Sequence, residues 1–262
     1  MSMFTAGDVY SALSPGMPER LDIRTAAVTG STNDDVRALA EKGAEEGTAV
    51  IAGAQTAGKG RLGRSFYSPG DSGLYMSVLL RPSLDTADAL AITTAAAVSA
   101  AEAVESITDK TAGIKWVNDI YVSGRKVCGI LTESSLAADG SLRYAVLGIG
   151  INAGETEFPP ELRDKAGSLG CGASVRPVLA AKVLERFFAY YDALPSRGYM
   201  EEYRRRSVLT GKTIEYEAGG FLHTAEVLGI DDEARLKVRT SDGKVNYLAS
   251  GEVNIKANIS SV

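Results

Sequence analysis

The residues with the greatest chemical capacity lie in one stretch, Gly58-Lys59-Gly60-Arg61-Leu62-Gly63-Arg64, where three cations alternate with three glycines. Glycines let backbone N–H groups approach a ligand closely, and interleaved cations supply charge. Such a stretch suits an anion, either phosphate or carboxylate; the bland alternative is a solvated loop with incidental charge. It imitates two better-known motifs, and context excludes both. Residues 58–63 spell G-x-G-x-x-G, but a dinucleotide site needs a helix starting within the motif, and Ser65-Phe66-Tyr67-Ser68-Pro69-Gly70 cannot open one. Residues 53–59 spell G-x-x-x-x-G-K, yet Gly60 stands where a hydroxyl should hold magnesium. Lys115, in Lys115-Trp116-Val117-Asn118-Asp119, sits beside the only tryptophan, either snorkelling or presenting its charge to a site. Gly148-Ile149-Gly150-Ile151-Asn152 leaves one strand face bare, fit for close packing or for a flat ligand.

Hydropathy patterning predicts the elements that must position these groups. Residues 22–28 read as a strand. Ser31-Thr32-Asn33-Asp34-Asp35 then supplies a cap and early acids for a helix carrying Val36, Leu39 and Ala40 and stopping at Gly43. Residues 48–54 and 74–80 read as strands, and residues 55–73 between them as a long loop, a length that usually serves function. An alanine-rich helix is expected over 86–106, strands over 113–117, 126–134 and 143–151, a helix opening at Pro177 and a short helix over 199–206. From Leu209 the texture changes to short alternating strands at 213–217, 223–230, 235–240 and 244–249, the pattern of a small β-barrel.

Composition narrows the function classes. The chain has 262 residues, enough for one large domain and one small one. Its formal charge of −5, with no basic block longer than Arg204-Arg205-Arg206, argues against general nucleic-acid binding, so any cationic function must be local. A single histidine, His223, excludes multi-histidine metal sites. Two cysteines, Cys128 and Cys171, fit packing positions in a reducing compartment better than a disulfide framework. The N-terminus lacks a signal-peptide pattern, and the most apolar stretch, residues 89–104, reads as too short and too polar to span a bilayer. The expectation is a soluble cytoplasmic protein without membrane association.

Taken in order, five segments resemble a biotin protein ligase. These are Ser31-Thr32-Asn33; Gln55-Thr56-Ala57 running into the glycine–arginine stretch; Lys115-Trp116-Val117-Asn118-Asp119; Cys128-Gly129-Ile130-Leu131; and Gly148-Ile149-Gly150-Ile151-Asn152. Gly251-Glu252-Val253 extends the likeness to the C-terminal strands, so it covers essentially the whole chain. Departures from the family pattern are Lys59 for arginine, Leu62 where a basic residue is frequent, Phe66 for tryptophan and Val117 for proline. Lysine keeps the charge at 59 but loses bidentate geometry.

The resemblance implies an α+β fold of the class II synthetase and biotin–lipoate ligase type. It comprises a mixed, largely antiparallel sheet packed by helices over residues 1–207, followed by an SH3-like barrel over 208–262. It implies activation of biotin by ATP to biotinyl-5′-AMP, then transfer to a lysine of a carrier domain. Joining carboxylate to phosphate at 4 Å costs about 4 kcal/mol of repulsion at an effective dielectric near 20, which cations at the junction offset. Arg61 and Lys115 are expected at that junction and Arg64 on the outgoing pyrophosphate, making these three the catalytic set. Ser31, Thr32, Asn33 and Gln55 are expected on biotin together with Lys59, Gly60, Arg61 and Lys115, and Asn118 and Asn152 on the nucleotide beside Arg61, Arg64 and Lys115. No dedicated metal ligands are expected. Magnesium would ride on the ATP phosphates, with Asp119 in water-mediated support.

The acceptor implied is the biotin carrier domain of a carboxylase. Only about twenty residues precede the first catalytic strand, which implies a ligase without a DNA-binding repressor domain. An exposed sheet edge leaves a homodimer open. Residues 58–70 are expected to be mobile until biotin or the adenylate binds, closing water out. The readings to be separated from this one are a lipoate-type ligase and a non-catalytic adaptor on the same fold.

Overall fold

A computed structural model describes residues 4–82 and 89–256. In chain order the elements begin with α1 (Ala6–Tyr10), β1 (Asp22–Thr29), α2 (Thr32–Glu41), β2 (Thr48–Gln55), β3 (Leu74–Leu80) and α3 (Ala89–Ile107). Then come β4 (Gly113–Lys115), β5 (Asp119–Val122), β6 (Arg125–Leu136), β7 (Leu142–Ile151), α4 (Val175–Asp192) and α5 (Met200–Arg205). The chain finishes with β8 (Thr213–Ala218), β9 (Phe221–Ile230), β10 (Leu236–Thr240), β11 (Val245–Leu248) and β12 (Val253–Ile255). The start of the helix expected over 86–106, residues 86–88, lies outside the described residues.

Seven strands form one sheet in the order β1-β2-β3-β7-β6-β5-β4. Only the β1–β2 pair is parallel, so the expected mixed, mainly antiparallel sheet is present. Period-two alternation divides its side chains between two faces. Met76, Val78 and Leu80 of β3 point with Leu147, Ile149 and Ile151 of β7 into the main core, which α3 and α4 cover. Val50, Leu79, Tyr144 and Val146 point the other way, against Val36 and Ala40 of α2. Apolar packing therefore covers only part of the α2 face, and beyond it the face carries Gly129, Gly148 and Gly150.

α3 corrects the reading of residues 89–104. By length and composition its span Leu90–Ile107 is apolar enough to cross a membrane, and 72% of that span is buried inside the protein. Its run of alanines seats the helix flat on the sheet, so the apolarity serves the core.

The C-terminal strands form a separate five-stranded antiparallel sheet in the order β11-β10-β9-β8-β12. Three elements had no counterpart in the sequence reading: α1, the four-residue β5 and the three-residue β12. β5 folds back onto β4, and Ser123 and Gly124, both with positive φ, turn it into β6. That turn chemistry is the type I′ pattern of a two-residue hairpin.

Candidate active site

Two adjoining clefts open on the uncovered part of the α2 face. The first, about 460 Å³, is lined by Ser31, Thr32, Asn33, Gln55, Lys59, Gly60, Arg61 and Asn118 over a floor of sheet residues. All eight were expected in the site. The Thr32, Asn33 and Gln55 side chains are tied into one polar network. Gln55 Oε1 accepts from the Thr32 backbone N–H at 2.9 Å and from its hydroxyl at 3.1 Å, while Gln55 Nε2 donates to Ser68 Oγ at 2.9 Å. The Thr32 and Ser77 hydroxyls lie 2.7 Å apart, and Ser77 donates to Asn33 Oδ1 at 2.6 Å. Asn33 Nδ2 donates to Glu133 at 2.7 Å. Ser31 caps α2 by position only. Its side chain makes no capping hydrogen bond, although the residue is buried against the cleft.

The glycines of the floor have specific occupants. A Cβ on Gly148 would lie 2.1 Å from Asn33 Oδ1, and one on Gly150 would lie 2.5 Å from the Phe66 ring. The bare strand face is thus filled by protein groups: Asn33 sits over Gly148, and Phe66 over Gly150 and Gly129. Phe66 lines both clefts and meets Tyr75 edge-on at 6.4 Å.

The glycine–arginine stretch folds as a tight hairpin-like strap. Phe66 N–H donates to Gly58 O at 2.8 Å, Gly60 N–H donates to Arg64 O at 2.7 Å, and Lys59 bridges Ser65. Leu62 and Gly63 both take positive φ at its tip, and the Leu62 side chain is 72% exposed. Gly58 is required where the strap leaves β2, because a Cβ there would meet Phe66 O at 2.5 Å. Arg61 donates to Asn118 Oδ1 at 3.1 Å, and Asn118 Nδ2 donates to Ile130 O at 2.8 Å, so the strap is moored to β6 through one amide.

The second cleft, about 610 Å³, contains Arg61, Arg64, Lys115 and Lys126 facing Asp119 and Glu252. Four cations against two carboxylates leave a formal +2 on this lining in a chain whose total is −5. Burial pulls the Lys115 ammonium below the ordinary lysine range, and the charges of Asp119 and Glu252 partly restore it. Arg64 reaches across to Glu252, just before β12, with one nitrogen 2.5 Å from a carboxylate oxygen. Trp116 lines this cleft and donates its indole N–H to Ala234 O at 2.7 Å; the Trp116–Val117 peptide is cis.

Lys126 escaped the sequence reading. It lines both clefts and pairs with Asp119 at 2.7 Å. The available signal was its place two residues before Cys128-Gly129-Ile130-Leu131. Asn152, expected on the nucleotide, is not brought to either lining. It is buried, its Nδ2 donates to Gly167 O at 3.0 Å and its carbonyl accepts from Leu169 N–H at 2.9 Å, so it pins the segment that follows β7. His223 stacks on Tyr216 in the C-terminal sheet, in neither lining. Burial pushes the Cys128 thiol well above its usual range, as expected for a packing residue.

Residues 25–152, which carry every cation of both clefts, match the model of the biotin/lipoate A/B protein ligase family. The bifunctional ligase/repressor BirA of Bacillus subtilis is 33% identical over 238 residues, covering 87% of this chain and 72% of that protein. This chain belongs to that family. The biotin–[acetyl-CoA-carboxylase] ligase of Mycobacterium tuberculosis is 31% identical over 243 residues, spanning 87% of this chain and 86% of its own length. The biotin protein ligase of Aquifex aeolicus, solved in complex with biotin and ATP, superposes with a TM-score of 0.77 at 27% identity, covering 90% of this chain and 98% of the other. The family model ends at the close of β7, but these whole-chain matches extend over most of the remaining residues.

Proposed function

We propose that this protein joins biotin to ATP, forming biotinyl-5′-AMP and pyrophosphate, and transfers biotin to a lysine of a carboxylase carrier domain. The observation carrying this is the meeting of a polar, hydrogen-bonding cleft with a cationic one, sharing Gly60, Arg61, Phe66, Asn118 and Lys126. Biotin's ureido ring takes the first cleft, against Ser31, Thr32, Asn33 and Gln55, with the Lys59–Gly60 backbone over it. An apolar dithiolane would leave this set of donors and acceptors unpaired, which disfavours lipoate. The carboxylate then lies where the clefts join.

A carboxylate oxygen attacks the α-phosphorus, the bond from that phosphorus to the bridging oxygen breaks, and pyrophosphate leaves. Arg61, Lys115 and Lys126 neutralise the approaching anions, and Arg64 attends the leaving diphosphate. In the second step the neutral acceptor amine attacks the acyl carbon, the acyl–phosphate bond breaks, AMP leaves with the bonding electron pair and the amine's proton passes to solvent. Asn118 orients the nucleotide.

Among the described residues no three His, Cys, Asp or Glu side chains gather into a cation site. A magnesium ion would therefore take most of its oxygen ligands from phosphates and water, and Asp119, already held by Lys126, is the carboxylate in the second cleft suited to support it. It would supply charge neutralisation on the phosphates.

The same reading divides the chain into a catalytic unit, residues 1–207, and an SH3-like barrel, residues 208–262, and assigns the reaction to the reducing cytoplasm. Incubation with ATP, biotin or lipoate, and an apo carrier domain, read by intact mass, tests it. Biotin-dependent pyrophosphate release and a carrier gain equal to one biotinyl group are expected. Arg61→Ala should lose adenylate formation or leak the intermediate; a normal single-turnover rate without leakage would overturn that assignment.

A further inference from the structure

The strap is anchored near its tip by Arg61 and at its far side by Arg64, but a third anchor, in the lining of the first cleft, lies outside the cationic one. Lys59 turns away from the phosphate-facing cations and forms an ion pair with Asp34 in the first turn of α2. Asp34 is also 3.2 Å from Arg37, and Arg37 lies 2.6 Å from Glu133, the carboxylate that holds Asn33. An unbroken charged chain, Lys59–Asp34–Arg37–Glu133, thus links the strap to the side chain that sits over Gly148 on the cleft floor. Lysine suffices at position 59 because its partner is one carboxylate oxygen, which a point charge meets without bidentate geometry.

We infer that the Asp34–Lys59 pair is a latch that holds the strap over the ureido cleft, making Asp34 a positioning residue for retention of the adenylate. This rests on the biotin-adenylating reading of the site. Both side chains are partly exposed, 47% for Asp34 and 35% for Lys59, so the latch is weak and salt-sensitive. A weak latch suits a strap that must open for the carrier lysine after each activation.

The test is a double-mutant cycle on the full chain, Asp34→Asn, Lys59→Gln and both together, read first by hydrogen exchange of residues 58–66 without substrate. Each single variant should exchange about threefold to fivefold faster than the parent, and the pair no faster than either. Asp35→Asn is the control: it removes an acid from the same helical turn, but Asp35 accepts from the Thr29 hydroxyl at 2.6 Å, off the strap. Exchange at parental rates in both single variants, effects that multiply in the double, or equal loosening by Asp35→Asn would overturn the latch. The second readout is escape of biotinyl-adenylate into solvent, expected to rise about threefold in Asp34→Asn and to rise with ionic strength in the parent. A parent that releases no pyrophosphate overturns the adenylation reading alone, because the exchange cycle uses no substrate.

Discussion

Lys115 occupies a position in the second cleft that disfavours its charge. Burial destabilises its charge, so its ammonium deprotonates at a lower pH than an exposed lysine would. A lysine is charged below its pKa. If its charge balances the joining anions, kcat/KM for pyrophosphate release must fall as pH rises through that lowered value, ahead of the ordinary lysine range. Lys115→Arg keeps the charge at every accessible pH and should move the alkaline limb upward, with some loss of rate from altered geometry. An unmoved limb in the variant's pH profile would remove Lys115 from the junction. Lys126 makes the opposite lesson about legibility. In the sequence it follows Gly124-Arg125 and looks like a solvated hairpin cation. What carries it into the site is the β5–β6 register, shifted by the bulge between Ile120 and Tyr121, which sets Lys126 opposite Tyr121 and beside Asp119. Such a shift has no marker in residue types.

At the level of elements, strands and helices with strong periodicity were readable, and so was the strap, because glycine and arginine alternation has few other uses. The contents of the glycine face were not. Gly148 and Gly150 announce a bare surface, but only the three-dimensional arrangement shows Asn33 over one and Phe66 over the other. Gly148→Ala therefore has a definite expected result. The added methyl must displace Asn33 Oδ1 from 2.1 Å, breaking its bond with Ser77 and disturbing the polar cleft. Biotin affinity should weaken by at least about tenfold, equivalent to about 1.4 kcal/mol, with secondary structure retained. Titration calorimetry giving parental affinity would show that the ureido group does not depend on Asn33. β5 and β12 went unread because strands of four and three residues carry too little alternation to be told from turns, and they are held by pairing with β4, β6 and β8.

Across the molecule, β4 is tied to residues 206–208, which lead into the second sheet. Ile114 donates to Arg206 O at 2.7 Å and accepts from Val208 N–H at 3.0 Å, one residue before Lys115. The Arg206 side chain, almost fully buried, pairs with Glu105 at 2.8 Å and Glu202 at 2.7 Å and donates to Ala112 O at 3.1 Å. Arg206→Ala removes the cation paired with Glu105, while Glu202 keeps Arg205, and should cost about 3 kcal/mol, lowering Tm by about 5–10 °C. Calorimetry showing no change would mean that the junction is held elsewhere. The single tryptophan stands close by, lining the cationic cleft, with its indole N–H on Ala234 in the turn between β9 and β10. Intrinsic fluorescence excited at the indole band therefore comes from one chromophore at one place. Its emission colour should respond both to nucleotide arrival and to parting of the sheets, so the protein carries an optical gauge of its own working parts without any attached dye.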